Sequence, residues 1–211
     1  GIEVWDRPTG LSFDLRGDLV VNATGAWAGH VLKDTQARVA VTPTPGVMVA
    51  FDQRLVNRAI NRLNKPGDGD IIIPQRRMAV IGTTSYEVED VDYIPVEDQQ
   101  VEQMHAQAVQ LVPAVAQTKM RGAYMSARPL VGKGESGRSL ARTFKCFDHA
   151  ISDGIEGLVT ITGGKATTCR VMAEKTADLV CQKLGLTTAC ATHDQPLRSY
   201  RDYYLPHGGR K

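Results

Sequence analysis

Thr160-Ile161-Thr162-Gly163-Gly164-Lys165-Ala166-Thr167-Thr168 is the stretch that decides how this chain is read. A β-branched run gives way to two glycines, a lysine and two hydroxyls, and then to a segment with helical spacing, so the order is strand, tight turn, helix. In Thr167 to Leu184, Ala173, Ala177, Val180 and Leu184 form an apolar stripe, Lys183 sits in the last turn, and Gly185 follows as a stop. The start of such a helix offers unpaired backbone N–H groups and the positive end of its dipole to an anion. Two glycines let a phosphate or a flat ring approach the backbone, and Lys165 adds a full charge. The same residues also read as a plain glycine-rich turn with an exposed lysine. They do not have the GxxxxGK[ST] spacing of a nucleotide-binding P-loop.

A second strand-to-turn junction lies near the start. Asp18-Leu19-Val20-Val21-Asn22-Ala23-Thr24-Gly25-Ala26-Trp27 is an apolar run ending in small and polar residues, which lets a ligand come close to the backbone at Gly25. Between the two junctions, Val39 to Phe51 is broken by Pro43, Pro45 and Gly46 and predicts two short strands or one kinked strand. Asp52 is placed to cap a helix over Leu55 to Leu63, with Lys65 to Asp70 as a loop. Ile71 to Ile73 and Met78 to Gly82 read as a strand pair around the turn Pro74 to Arg77. Glu97 to Val112 is a helix, with Val101, Met104, Ala108 and Leu111 on one face and Pro113 just beyond. Met120 to Leu130, Ser139 to His149 and Gly157 to Thr162 read as strands. The tail Arg198 to Lys211 reads as a loosely held end. No internal repeat or low-complexity tract appears.

Composition narrows the function classes. The 211 residues are 42% hydrophobic and 23% charged, which fits a globular chain and no disordered, collagenous or membrane-spanning one. Lys and Arg exceed Asp and Glu by 25 to 23, a surplus spread along the sequence, so no run of charge points to nucleic acid or an anionic membrane. Cys146, Cys169, Cys181 and Cys190 form no CxxC pair and have no His at ligand spacing. They read as buried or free thiols, which suits a reducing cytoplasmic compartment. Gly1 to Gly10 is charged and contains a proline, unlike a secretory signal, and the missing initiator Met gives the expectation that the chain begins partway through a longer protein.

Outside the two junctions, Arg128 in Tyr124-Met125-Ser126-Ala127-Arg128-Pro129-Leu130 stands out. The following proline holds it extended, and a guanidinium suits bidentate binding of phosphate or carboxylate, although a structural ion pair is the commoner role. Gly82-Thr83-Thr84-Ser85 is a hydroxyl cluster that reads more simply as a turn than as a ligand contact. His30, His105, His149 and His193 share no ligand spacing, and His105 is expected on a helix surface. No G-x-G-x-x-G fingerprint follows a strand.

Taken in order, Val20 to Trp27, Asn61-Arg62, Ile81-Gly82-Thr83-Thr84, Ala127-Arg128-Pro129-Leu130, Asp148-His149-Ala150 and Ile161-Thr162-Gly163-Gly164-Lys165 with Thr167-Thr168, Arg170 and Met172-Ala173-Glu174 resemble the FAD-dependent glycerol-3-phosphate dehydrogenases. The long agreement, over about residues 18 to 198, is with the catalytic A subunits of the anaerobic enzymes. The resemblance implies a flavoprotein of the D-amino-acid-oxidase type, of mixed α+β and α/β class. A mainly antiparallel substrate-domain sheet with helices would be flanked by the C-terminal part of a Rossmann-like FAD-binding domain. Residues 1–27 would be terminal strands of that FAD domain, 28–153 the substrate domain, 154–190 the return to the FAD domain, and 191–211 a linker or tail. The family's pyrophosphate loop would lie upstream of Gly1, so the fragment alone is expected to be inactive. Open strand edges would invite oligomers.

The resemblance further implies oxidation of sn-glycerol 3-phosphate to dihydroxyacetone phosphate, with FAD as cofactor and a quinone as final acceptor. Partner B subunits and membrane-anchoring C subunits would hold the protein at the cytoplasmic face of the inner membrane. The anaerobic A subunits also continue into a cysteine-bearing domain similar to those that bind an iron–sulfur cluster. Arg128 and Lys165 would contact the substrate, and Gly25, Gly163, Gly164, Thr167 and Thr168 the flavin, with no metal ligand among them. Three departures stand out. Pro45-Gly46-Val47-Met48 lacks the histidine that aerobic relatives carry there, so the general base is open; Ser126 replaces a glycine; Cys169 replaces a tyrosine. Two alternatives stay beside this reading: a same-fold flavin enzyme acting on an amino or hydroxy acid, and a non-catalytic phosphate-binding module.

Overall fold

A computed structural model describes residues 1–63, 69, 71–88, 90–132, 140 and 143–199. The chain begins with a hairpin of β1 (Ile2–Asp6) and β2 (Leu11–Leu15), which the sequence pattern did not signal, and continues through β3 (Val20–Asn22) and a short helical turn, α1 (Ala28–Val31). Then come β4 (Val41–Phe51), β5 (Ile60–Asn61), β6 (Ile71–Gln75), β7 (Met78–Gly82), α2 (Asp98–Leu111) and β8 (Met120–Val131). The remainder is β9 (Phe144–Asp148), α3 (His149–Ser152), β10 (Leu158–Gly163) and α4 (Cys169–Lys183).

The strands form three sheets. β1 and β2 pair alone; β3, β10 and β9 form a mixed sheet in which β10 runs parallel to β3 and antiparallel to β9; and β5-β6-β7-β4-β8 is antiparallel throughout. The larger sheet carries the core. Val47, Val49 and Phe51 of β4, Ile72 of β6 and Ala79 and Ile81 of β7 pack with Met104 and Ala108 of α2 and with Val115. Met104 and Ala108 are one helical turn apart, so α2 buries the face its periodicity predicted.

β4 is one continuous strand despite its prolines, and the hydrogen-bond pattern explains why. The carbonyls of Pro45 and Pro43 accept from the backbone N–H of Tyr86 and Val88, so the side on which a proline lacks its donor faces the irregular segment after β7 rather than β8.

The expected helix over Leu55 to Leu63 does not form. Its residues are consumed by the sheet: Ile60 and Asn61 pair with Ile72 and Ile71, Val56 is buried in the core, and Arg62 donates to Gln107 on α2. A nine-residue helix is marginal by itself, and edge pairing plus burial outcompetes it. The strand predicted over Ser139 to His149 covers Phe144–Asp148, because the Asp148 carboxylate accepts from the Ala150 N–H and starts a helical turn at His149. Ser139, Ala141 and Arg142, the loop Lys65 to Asp70 apart from Gly69, and the tail from Tyr200 onward lie outside the described residues.

Candidate functional site

The parallel pair β3 and β10 brings the two junctions together. Both strands end at the same edge of their sheet, the place where ligands bind in open sheets with parallel strands. Beyond β3 the chain folds back around Asn22, which is buried. Its side-chain N–H donates to the Ala28 carbonyl at 2.9 Å, and its oxygen accepts from the Thr24 hydroxyl at 2.7 Å. Thr162, on β10, donates its hydroxyl to the Gly25 carbonyl at 3.3 Å. Asn22 and Thr162 therefore shape the Gly25 turn. Neither was singled out from the sequence, although an Asn two residues before a Thr is an Asx-turn signal. A Cβ placed on Gly25 would meet nothing within 4 Å, so the turn has open space beside it.

At the other junction the two glycines are required by packing. A Cβ on Gly163 would stand 2.6 Å from the Thr143 carbonyl oxygen and 2.7 Å from Val131 Cγ2; one on Gly164 would stand 2.6 Å from Met172 Sδ. Thr168 turns inward: its Oγ1 accepts from the Lys165 N–H at 3.0 Å and donates to the Lys165 carbonyl at 2.9 Å, closing the turn that leads into α4. Lys165 and Thr167 are exposed.

Arg128 lies on β8, opposite Thr44 of β4. Its guanidinium crosses Gly46 to the start of the segment after β7. Nη1 donates to the Thr44 carbonyl at 3.2 Å, and Nη2 donates to the Thr83 hydroxyl and, at 3.3 Å, to the Thr84 carbonyl. A Cβ on Gly46 would come within 2.5 Å of both Nη2 and the Thr84 carbonyl, so only glycine leaves room for this crossing. The hydroxyl cluster of the sequence thus holds Arg128 rather than merely turning the chain. β8 packs against both β10 and the Gly25–Trp27 turn, which sets the strand of Arg128, Gly25 and Gly163 along one seam between the two larger sheets.

The other candidates resolve as structural groups. His149 is buried, with Nδ1 2.6 Å from Asp153 Oδ2 and Nε2 2.8 Å from Thr160 Oγ1, tying α3 to β10. His105 is half-buried and its ring lies 5.8 Å from that of Phe51. All four cysteines are free thiols, and burial pushes the Cys146 thiol up. No group of metal-binding side chains occurs among the described residues, and no helix among them is long and apolar enough to cross a membrane.

One pH dependence follows from the His149 cluster. Hydrogen bonds from Ser152 and His149 hold the Asp153 carboxyl below its ordinary range. A carboxyl depressed in the folded state contributes stability above its unfolded pKa and loses it as pH falls through the folded value. Urea midpoints should therefore fall below about pH 4, and Asp153→Asn should flatten that acid limb. An unchanged slope would count against the cluster.

Two parallel strands thus end in glycine turns beside an antiparallel sheet that carries a fixed arginine. Residues 2–179 match the family described as FAD dependent oxidoreductase, and the chain belongs to that family. Within that family it is 38% identical over 201 residues to the A subunit of the anaerobic glycerol-3-phosphate dehydrogenase of Escherichia coli K12, covering 93% of this chain and 37% of that protein. It is 40% identical over 194 residues to the A1 subunit of the Haloferax volcanii enzyme of the same name, covering 90% and 33%. Among solved structures, the glycerol-3-phosphate dehydrogenase of Bacillus halodurans complexed with FAD superposes with a TM-score of 0.69 at 25% identity, over 90% of this chain and 37% of that one. Glycine oxidase from Geobacillus kaustophilus shares the fold, with a TM-score of 0.59 at 21% identity over 86% and 45%. The chain thus spans 33–37% of the length of these curated relatives.

Proposed function

We propose that this chain supplies the substrate-binding part and the closing flavin-contacting part of an enzyme that oxidises sn-glycerol 3-phosphate to dihydroxyacetone phosphate. The observation that carries the reading is the guanidinium of Arg128, held by the Thr44 and Thr84 carbonyls and the Thr83 hydroxyl, on a strand that packs against both β10 and the Gly25–Trp27 turn. A phosphate dianion is bound best by a cation already held in place, since little side-chain entropy remains to be lost. Lys165, exposed at the start of α4, is the second cation of the site.

On this reading residues before about 28 and after about 153 belong to the FAD domain, those between to the substrate domain, and 191–211 form a linker. Gly25, with open space at its turn, and the Gly163-Gly164 backbone would lie against the ring of FAD, with Thr167 and Thr168 at the helix start. Thr168 acts there by shaping the turn, because its hydroxyl is already bonded to Lys165. When bound, FAD supplies the two-electron acceptor for the hydride leaving substrate C2. The proton of the C2 hydroxyl goes to a base outside Pro45–Met48, which carries no titratable side chain. A quinone as final acceptor, and partner subunits that bring the enzyme to a membrane, complete the proposal.

The test uses this chain by itself and joined to the upstream flavin-binding segment of a relative. The chain alone should leave gel filtration colourless, and the joined protein should be yellow and reduce a dye when given glycerol 3-phosphate. Tight FAD on the chain alone would overturn the need for the upstream segment. Oxidation of glycine or other amino acids without glycerol 3-phosphate would overturn the substrate.

A further inference from the structure

We propose that Gln100, at the start of α2, is a positioning residue for Arg128, acting through Thr84; as a statement about substrate binding this rests on the function proposed above. Thr84 is buried, and its hydroxyl stands at the centre of the arrangement. Oγ1 accepts the Val47 N–H at 2.9 Å and lies 2.9 Å from Gln100 Oε1. Proton accounting settles the direction of the second bond. The amide oxygen of Gln100 carries no proton and can only accept, so the Thr84 hydroxyl, which takes the Val47 N–H on a lone pair, donates to it.

These two bonds matter because the backbone ladder in this region is weak. The N–H groups of Thr84, Tyr86 and Val88 reach the carbonyls of Val47, Pro45 and Pro43 only at 3.4 Å each, the outer limit of a useful hydrogen bond. The Thr84 carbonyl is shared: it accepts from Arg128 Nη2 at 3.3 Å and from the Thr83 hydroxyl at 2.6 Å. The Thr83 hydroxyl and the Thr84 carbonyl, both acceptors for Arg128, therefore sit on a segment whose firmest tie to β4 is the Thr84 side chain. Gln100 anchors that side chain from outside the sheet. It is followed at four-residue intervals by Met104 and Ala108, both fully buried against the sheet, so its place is set by the best-packed face of α2. The proposed site thus extends from Arg128 through Thr84 to α2.

The test compares Gln100→Glu, which keeps an acceptor oxygen, with Gln100→Met, which keeps the shape and removes it. In low-temperature NMR of the 15N-labelled 211-residue chain, with Arg128 assigned by its loss in Arg128→Lys, the Nη signals should be separate in the unsubstituted chain and in Gln100→Glu. They should average in Gln100→Met while amides outside residues 44–47 and 83–88 stay in place. Gln100→Ala, which adds no bulk, should read the same as methionine. In the flavin-loaded joined protein, Gln100→Met should raise KM for glycerol 3-phosphate about fivefold, the loss of one neutral hydrogen bond, with kcat within about twofold, and Gln100→Glu should restore KM. Separate Arg128 signals in both Gln100→Met and Gln100→Ala would overturn the positioning role. A joined protein that does not oxidise glycerol 3-phosphate at all would overturn the proposed function while leaving the NMR result on Gln100 intact.

Discussion

Arg128→Met in the flavin-loaded joined protein should lower kcat/KM for glycerol 3-phosphate by about 10- to 150-fold, the range that charge-assisted hydrogen bonds of about 1.5–3 kcal/mol give. The side chain is held by Thr44, Thr83 and Thr84 before any ligand arrives, so its contribution to binding is not diminished by an ordering cost. Arg128→Lys should recover only a small part of the loss. An ammonium is a point donor on a flexible stem, and it cannot bridge the Thr44 carbonyl on one side of Gly46 and the Thr83-Thr84 pair on the other. Steady-state kinetics alongside FAD content and thermal unfolding separate substrate binding from stability. An unchanged kcat/KM in a folded, flavin-loaded Arg128→Met protein would remove Arg128 from the site.

The second large effect concerns stability. Gly163→Ala should destabilise the 211-residue chain by about 2–5 kcal/mol, the sum of left-handed backbone strain and overpacking. Gly163 has φ of +84°, and the added methyl would be driven onto the Thr143 backbone oxygen and Val131. At about 2–4 °C per kcal/mol for a chain of this size, the melting temperature should drop by about 4–20 °C. Gly25→Ala provides the internal comparison. Its φ of +62° carries a similar backbone cost, but the methyl would enter open space, so the loss should be about 1–2 kcal/mol. Thermal unfolding of the two variants side by side decides the matter, and a Gly163→Ala chain as stable as Gly25→Ala would show that the close packing is not what demands glycine.

The two glycine junctions also show how far linear reading reaches. Both were legible because an apolar run, a glycine and a polar residue in that order are local signals, and local signals survive folding. The role of each glycine was not. Gly163 and Gly25 look alike in sequence; one is pressed against another strand and the other borders open space, a difference set by residues 143 and 131 that no window around position 163 contains. The Leu55 to Leu63 segment failed for a related reason. Its helical spacing is real, but the partners that claimed it, Ile71, Ile72 and Gln107, arrive from other parts of the chain.

Legible in the sequence by itself were the strands other than β1, β2 and β5, the two principal helices and the glycine turns, because periodicity, caps and turn residues act within a few positions; the flavin-dependent family was legible only through the ordered motifs of its resemblance. Only the tertiary structure decided that Thr83, Thr84 and Gly46 belong to the environment of Arg128. Residues 44, 84 and 128 are brought together by β4 lying between β8 and the segment after β7, and hydrogen bonds formed across such separations leave no periodic trace in the chain.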